Sequence, residues 1–341
     1  MAVITIIGAG MMGSAMSCPA RDNGHTVRIV GTPLDRAIID RCRIDSRHEP
    51  MKRTLPAGIT YYQVENIPDA IEGADLIICG VSSFGVEWFA KTVLPLLKPG
   101  IPVLAVTKGL LDNGDGSVTT YPHYYSSIRP DIEFNAIGGP CTSYELMDKH
   151  QTMVCFCGKN PDTLKYLKSL LQTSYYHIET STDIIGVESC VALKNAFAVA
   201  VSMGIGLAEK LEGKDAYMYN PQAALFGQSI REMSRIVKLF GGDSSFAASI
   251  PGAGDLFVTI FGGRTRRLGY LLGLGKSYAE AKEILKGVTL ESVVIITRMG
   301  NVLRTLAAAG KIDLKDFRLI LYLDSIINNG CSDDIPWDEF I

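Results

Sequence analysis

Apolar runs of four to six residues separated by mixed segments dominate the first half of the chain. Val3–Ile4–Thr5–Ile6–Ile7, Thr26–Val30, Ala74–Val81, Val103–Val106 and Phe134–Ile137 are β-branched and aliphatic along nearly their whole length. Runs of that kind predict strands buried on both faces, as in a parallel sheet. A weaker run at Thr60–Val64 and later ones at Met153–Cys157 and Tyr176–Glu179 complete the set. Helices are predicted between them, the first ending near Asn23–Gly24 and another near Pro68–Glu72; Arg41–Pro56 is a polar stretch. Strand alternating with helix is the α/β pattern. From about Asp183 the texture changes. Gly186–Met203 is almost uncharged, with Glu188, Lys194 and Asn195 its only strongly polar residues besides serine, and Pro221–Leu239, Tyr278–Leu285, Leu290–Ala309 and Leu314–Ile327 follow with helical spacing. The expectation is a doubly wound sheet over residues 1–183 and an all-helical domain over 184–341.

The first strand runs directly into Gly8–Ala9–Gly10–Met11–Met12–Gly13, a G-x-G-x-x-G turn. Placed after a strand and opening a helix, with a second strand at βαβ distance, this is a dinucleotide-binding Rossmann turn. Gly8 allows the tight turn, Gly10 the close approach of backbone to a pyrophosphate, and Gly13 close packing of helix on strand. An acid for the ribose diol is expected just after the second strand, and that position holds none; Thr32 and Arg36 stand nearby. This favours tolerance of a 2′-phosphate, so NADP is as well suited as NAD, unless Arg36 is only a solvated surface residue.

Composition narrows the class. The 341-residue chain carries a formal net charge of −3 and shows no dense basic face, which argues against nucleic acid or a membrane surface as partner. The apolar N-terminus lacks a basic n-region, so it reads as a strand rather than a signal peptide, and no stretch reads as a clean membrane span. Eight scattered cysteines, including Cys155 and Cys157 on one strand, lack metal-ligand spacing and read as buried free thiols in a reducing cytoplasm, with no metal site.

Lys194 is the sharpest chemical candidate, because burying a lysine on an apolar helix lowers its pKa toward that of a general acid/base. Asp255, in Pro251–Gly252–Ala253–Gly254–Asp255–Leu256, is either an N-cap or the partner that orients Lys194. Gly262–Gly263–Arg264–Thr265–Arg266–Arg267 offers arginines amid glycines, an anion site or else an exposed basic loop. Lys108 follows a strand and points into the ligand crevice or into water, and Gly138–Gly139–Pro140–Cys141–Thr142–Ser143 opens another such turn.

Taken together, the glycine turn, Thr107–Lys108–Gly109, Gly139–Pro140, Ala192–Leu193–Lys194–Asn195, Gly254–Asp255–Leu256 and Gly263–Arg264–Thr265–Arg266 resemble the NAD(P)-dependent glycerol-3-phosphate dehydrogenases, in the same order from residue 3 to Glu291. The resemblance implies reduction of dihydroxyacetone phosphate with NAD or NADP, and a cytoplasmic homodimer. It implies Lys194 as the proton donor/acceptor with Asp255 supporting it. Lys108, Gly139, Cys141, Asn195, Thr259, Arg264 and Thr265 would line the substrate. Gly8, Gly10, Met11, Met12, Gly13, Thr32, Arg36, Lys108, Ser143, Arg264 and Glu291 would contact the dinucleotide. Three positions depart from the family pattern: Thr265 replaces an asparagine, Gln228 an arginine and Ser292 a glycine. These leave open a related phosphorylated ketose or polyol as substrate. A 3-hydroxyacid dehydrogenase of similar build and a non-catalytic, cofactor-sensing regulator compete with that expectation.

Overall fold

The computed structural model describes residues 1–331 and 334–340. The chain divides into two compact units, Met1–Lys108 with Thr120–Ile184, and Gly109–Thr119 with Ile185–Ile341. The first is built on an eight-stranded sheet. Its order is Tyr176–Ser181, Thr152–Cys157, Phe134–Gly138, Val103–Ala105, Leu76–Cys79, Val3–Ile7, Thr26–Val30, Ile59–Tyr62. In sequence order its last six strands run 6-5-4-1-2-3, the doubly wound arrangement, in which the strand order reverses beside the first strand. Val3–Ile7 pairs in parallel with both Thr26–Val30 and Leu76–Cys79, and only Phe134–Gly138 with Thr152–Cys157 is antiparallel. The apolar strand residues, among them Ile4, Ile6, Ile29 and Ile78, are buried against the covering helices.

Two local expectations change. The first helix is interrupted: Met11–Ala15 and Ser17–Asp22 are separate segments meeting at Met16. Pro19 is the reason, since it has no N–H to give Ala15 and its ring crowds that carbonyl. The polar stretch from Arg41 holds the end of helix Arg36–Asp45 and a small ladder, Arg47–His48 with Arg53–Thr54.

The second unit is helical, and its strands among the described residues are a short pair, Leu110–Asp112 and Val118–Thr120. This hairpin lies inside the segment expected to be part of the sheet domain, but Leu110 joins the helical core and Arg298 donates to its carbonyl. The Asn113–Gly114 turn was its signal. Helix Ile184–Glu212 is long and apolar enough to cross a bilayer by length and composition, yet most of it is buried inside the protein.

Glycines let helix Gly263–Gly273 sit directly on that helix. A methyl group at Gly269 would lie 2.3 Å from the Val199 carbonyl oxygen, and one at Gly273 would lie 2.0 Å from that of Met203. The helix bearing Arg264 is therefore held backbone to backbone on the helix bearing Lys194.

Gln228 and Glu232 belong to the interior of the same unit. The buried Glu232 carboxylate accepts the Leu319 and Ile320 amides at 2.7 and 2.9 Å, at the start of helix Arg318–Asn329, and the Gln228 amide at 2.8 Å. Burial pushes this acid up to about 7, against the pull of those amides. A carboxyl whose folded pKa is raised binds its proton more tightly folded than unfolded. Its contribution to stability is therefore full below about pH 4.5 and is lost as pH rises through about 7. Urea unfolding should show the protein up to about 3 kcal/mol more stable at pH 5 than at pH 8 on this account. Glu232→Gln should remove that component; an unchanged pH slope would show that Glu232 is not its source.

Candidate active site

The glycine turn has the shape a pyrophosphate requires. Gly8 takes φ +110, and a Cβ there would lie 2.7 Å from the carbonyl carbon of Gly80 on the neighbouring strand end. At Gly13 a Cβ would lie 2.5 Å from the Gly8 oxygen, so helix and turn are in backbone contact. At Gly10 the nearest atom to an added Cβ is the Gly80 oxygen at 3.8 Å, which leaves that flank open to a ligand. The three glycines thus divide the roles of turn, approach and packing, and the residues present fit a dinucleotide. Gly80 is a fourth, missed by the sequence reading; its signal was a glycine ending a buried strand. Met11 is exposed and Met12 partly exposed beyond the turn, and Ser143 is buried at the start of helix Ser143–Met147.

At the end of the second strand the structure corrects the sequence reading. A carboxylate does stand there. Asp35 folds back so that one oxygen accepts from Thr32 N at 2.8 Å, Thr32 Oγ1 at 2.7 Å and Ala9 N at 3.1 Å. Thr32 therefore already donates its hydroxyl, and Arg36 is ion-paired with Glu65, both more than half exposed. Exposed pairs of this kind contribute little and are readily exchanged, so Arg36 remains recruitable by an anion. The acid was overlooked because it lies beyond Pro33 and returns through a turn.

Lys108 and Gly139 meet in this unit: the Lys108 ammonium donates to the Gly139 carbonyl at 3.2 Å, joining the carboxyl ends of Val103–Ala105 and Phe134–Gly138. Cys141 is partly exposed just beyond. Six other cysteines are buried, and burial pushes Cys79 up to about 11 and Cys155 up to about 12, so both are protonated thiols. Among the described residues no group of side chains has the make-up of a metal site.

In the second unit Lys194, Asp255 and Thr259 form one cluster. The Lys194 ammonium lies 2.6 Å from Asp255 Oδ1 and 2.9 Å from Thr259 Oγ1, and the Thr259 hydroxyl donates to the Asp255 carbonyl oxygen at 2.6 Å. The Asp255 side chain is 1% exposed and that of Lys194 11%. Asp255 opens helix Asp255–Thr259, but its carboxylate is turned to the lysine, which decides between cap and partner in favour of partner. The turn before it, Ile250–Gly254, is a wide π-type turn pressed on Ser244–Ala248; a Cβ at Gly252 would lie 2.3 Å from the Ala247 oxygen. Asn195 is partly buried next to Lys194. Gly263, at φ +85, starts helix Gly263–Gly273, with Arg264 exposed and Thr265 partly exposed in its first turn, where free amides favour an anion. Glu291 is the first residue of helix Glu291–Ala308, and the adjacent Ser292 is buried.

A doubly wound unit with a pyrophosphate turn, joined to a helical unit with a buried lysine–aspartate pair, is the build of a dinucleotide-dependent dehydrogenase. The description of the NAD-dependent glycerol-3-phosphate dehydrogenase N-terminus matches residues 3–164, and that of the C-terminus residues 183–332. The chain belongs to this family. It is 35% identical to the NADP(+)-dependent glycerol-3-phosphate dehydrogenase of Archaeoglobus fulgidus over 286 residues, 83% of this chain and 84% of that one. It is 28% identical to the glycerol-3-phosphate dehydrogenase [NAD(P)+] of Streptococcus gordonii over 296 residues, 85% and 83% of the two chains. In fold it is similar to the crystal structure of glycerol-3-phosphate dehydrogenase from Coxiella burnetii, with a TM-score of 0.82 at 24% identity, covering 99% of this chain and 97% of that one.

Proposed function

We propose that this protein is an NAD(P)-dependent glycerol-3-phosphate dehydrogenase, interconverting dihydroxyacetone phosphate and sn-glycerol 3-phosphate. A dinucleotide held on the Gly8–Gly13 turn would supply or take the hydride. Lys194 protonates the carbonyl oxygen in reduction and takes the hydroxyl proton in oxidation. Asp255 and Thr259 hold the ammonium in one place and orientation, so the proton is delivered without a search. Arg264, with the first-turn amides of its helix, carries the substrate phosphate, and Asn195 contributes a further donor. The observation that carries this reading is the buried Lys194–Asp255 ion pair at 2.6 Å, its lysine on a largely apolar helix. A buried pair is weak evidence for stability alone, since apolar residues there serve as well or better. Function is the better account of it.

NADP as well as NAD is accepted on this reading, because one oxygen of the Asp35 carboxylate already accepts three donors and Arg36 is a recruitable cation. The protein acts as a cytoplasmic homodimer. The departures at Gln228 and Ser292 are interior: Gln228 donates to Glu232 and Ser292 is 1% exposed. Neither argues for a larger substrate. The test is a spectrophotometric panel of phosphorylated ketones and 3-oxoacids with NADH and NADPH. Turnover of dihydroxyacetone phosphate is expected with both, the KM for NADPH within about tenfold of that for NADH, a gap of about 1.4 kcal/mol. Strict NADH dependence would make Arg36 a surface residue only, and preference for a 3-oxoacid would overturn the substrate.

A further inference from the structure

Ala9, at the centre of the glycine turn, is 1% exposed and belongs to neither strand nor helix, so its peptide groups need partners from elsewhere. Both come from side chains distant in sequence. The Ala9 N–H donates to Asp35 at 3.1 Å, and the Ala9 carbonyl oxygen lies 2.9 Å from Nε2 of His48, a fully buried residue of the short ladder. The Met51 amide donates to His48 Nδ1 at 3.2 Å. An amide can only donate and a carbonyl can only accept, so the ring must be the neutral tautomer with its proton on Nε2, given to Ala9.

That bond acts across a peptide plane. In a trans peptide the C=O of Ala9 and the N–H of Gly10 point in opposite directions. Anchoring the carbonyl inward on His48 therefore aims the Gly10 N–H outward. This amide donates to no acceptor among the described residues, and Gly10 is only partly buried. Hydrogen bonding at the carbonyl also polarises the amide and strengthens it as a donor.

We propose that His48, with Asp35 on the other side of Ala9, is a positioning residue for dinucleotide binding, holding the Gly10 amide aimed at an anionic diphosphate. The proposal rests on the dinucleotide reading above. Two variants separate positioning from mere structure. His48→Asn keeps an acceptor for the Met51 amide but loses the donor to Ala9, whereas His48→Gln can keep the donor and gives up the acceptor.

The measurements are NADPH affinity by fluorescence titration without ketone, and the Gly10 amide resonance in nucleotide-free protein. His48→Asn should bind NADPH about tenfold more weakly, with a displaced Gly10 resonance and unchanged kcat at saturating cofactor; His48→Gln should bind within about threefold of wild type. Equal affinities for wild type and His48→Asn, or equal losses in both variants, would overturn the proposal. Should His48→Asn not fold, His48→Gln carries the test: near-native affinity and Gly10 resonance support the clamp, and loosened binding overturns it. Failure of the wild-type protein to bind either dinucleotide would instead sink the functional reading itself.

Discussion

Replacing Lys194 with alanine is expected to cut turnover of dihydroxyacetone phosphate by about 10²–10⁴-fold, the usual worth of a positioned general acid. Dinucleotide affinity should hardly change, because the glycine turn, Lys108 and Asp35 are untouched. The substitution also leaves the Asp255 carboxylate, 1% exposed, without its cation. A buried charge without its partner costs about 3–5 kcal/mol, so thermal unfolding must be followed alongside kinetics. The double variant Lys194→Met with Asp255→Leu removes charge from both sides and should recover stability while remaining inactive. That separation is the informative result. Activity of Lys194→Ala above about a tenth of wild type, with the protein folded, would mean that another group donates the proton.

The second large effect concerns phosphate. Arg264 is the second residue of an eleven-residue helix, is exposed, and sits beside amides that no preceding turn can satisfy. A guanidinium meeting a phosphate makes a bidentate, charge-assisted contact stronger than any neutral donor at this site. Wild type should therefore prefer dihydroxyacetone phosphate to dihydroxyacetone by a wide margin in kcat/KM, and Arg264→Ala should remove most of that margin through the phosphorylated ketone alone. Thr265 supplies a hydroxyl where the family pattern has an asparagine, so only a directional donor is lost and the charge is kept. Thr265→Asn should lower KM by no more than the roughly 0.5–1.5 kcal/mol of one hydrogen bond. If Arg264→Ala lowers activity on both ketones equally, the arginine is not the phosphate ligand. If Thr265→Asn improves this ketone while abolishing activity on a larger ketone phosphate, the site has been tuned to the larger one.

These two predictions differ in how much of their basis is legible before folding. Arg264 is marked by composition, as one of three arginines amid glycines. Lys194 is marked by contrast, as a charge on a helix whose neighbours are apolar. Asp255, however, reads by itself as an N-cap, because only its distance to a residue 61 positions earlier reveals the other role.

The sequence by itself determines what repeats at short range. Continuous apolar runs specify buried parallel strands, glycines at fixed offsets specify the turn, and the loss of strand runs after residue 183 specifies a helical second unit, since each rests on the local periods of strand and helix. The tertiary structure alone decides which distant groups meet. It brings Asp35 and His48 to the two sides of Ala9, sets Gly80 against Gly8, assigns the hairpin after Lys108 to the helical unit, and turns Asp255 toward Lys194. The reason is physical. Such contacts are single hydrogen bonds or single close approaches between segments tens of residues apart, chosen because a buried donor or acceptor left unpaired is costly, and they leave no periodic trace along the chain.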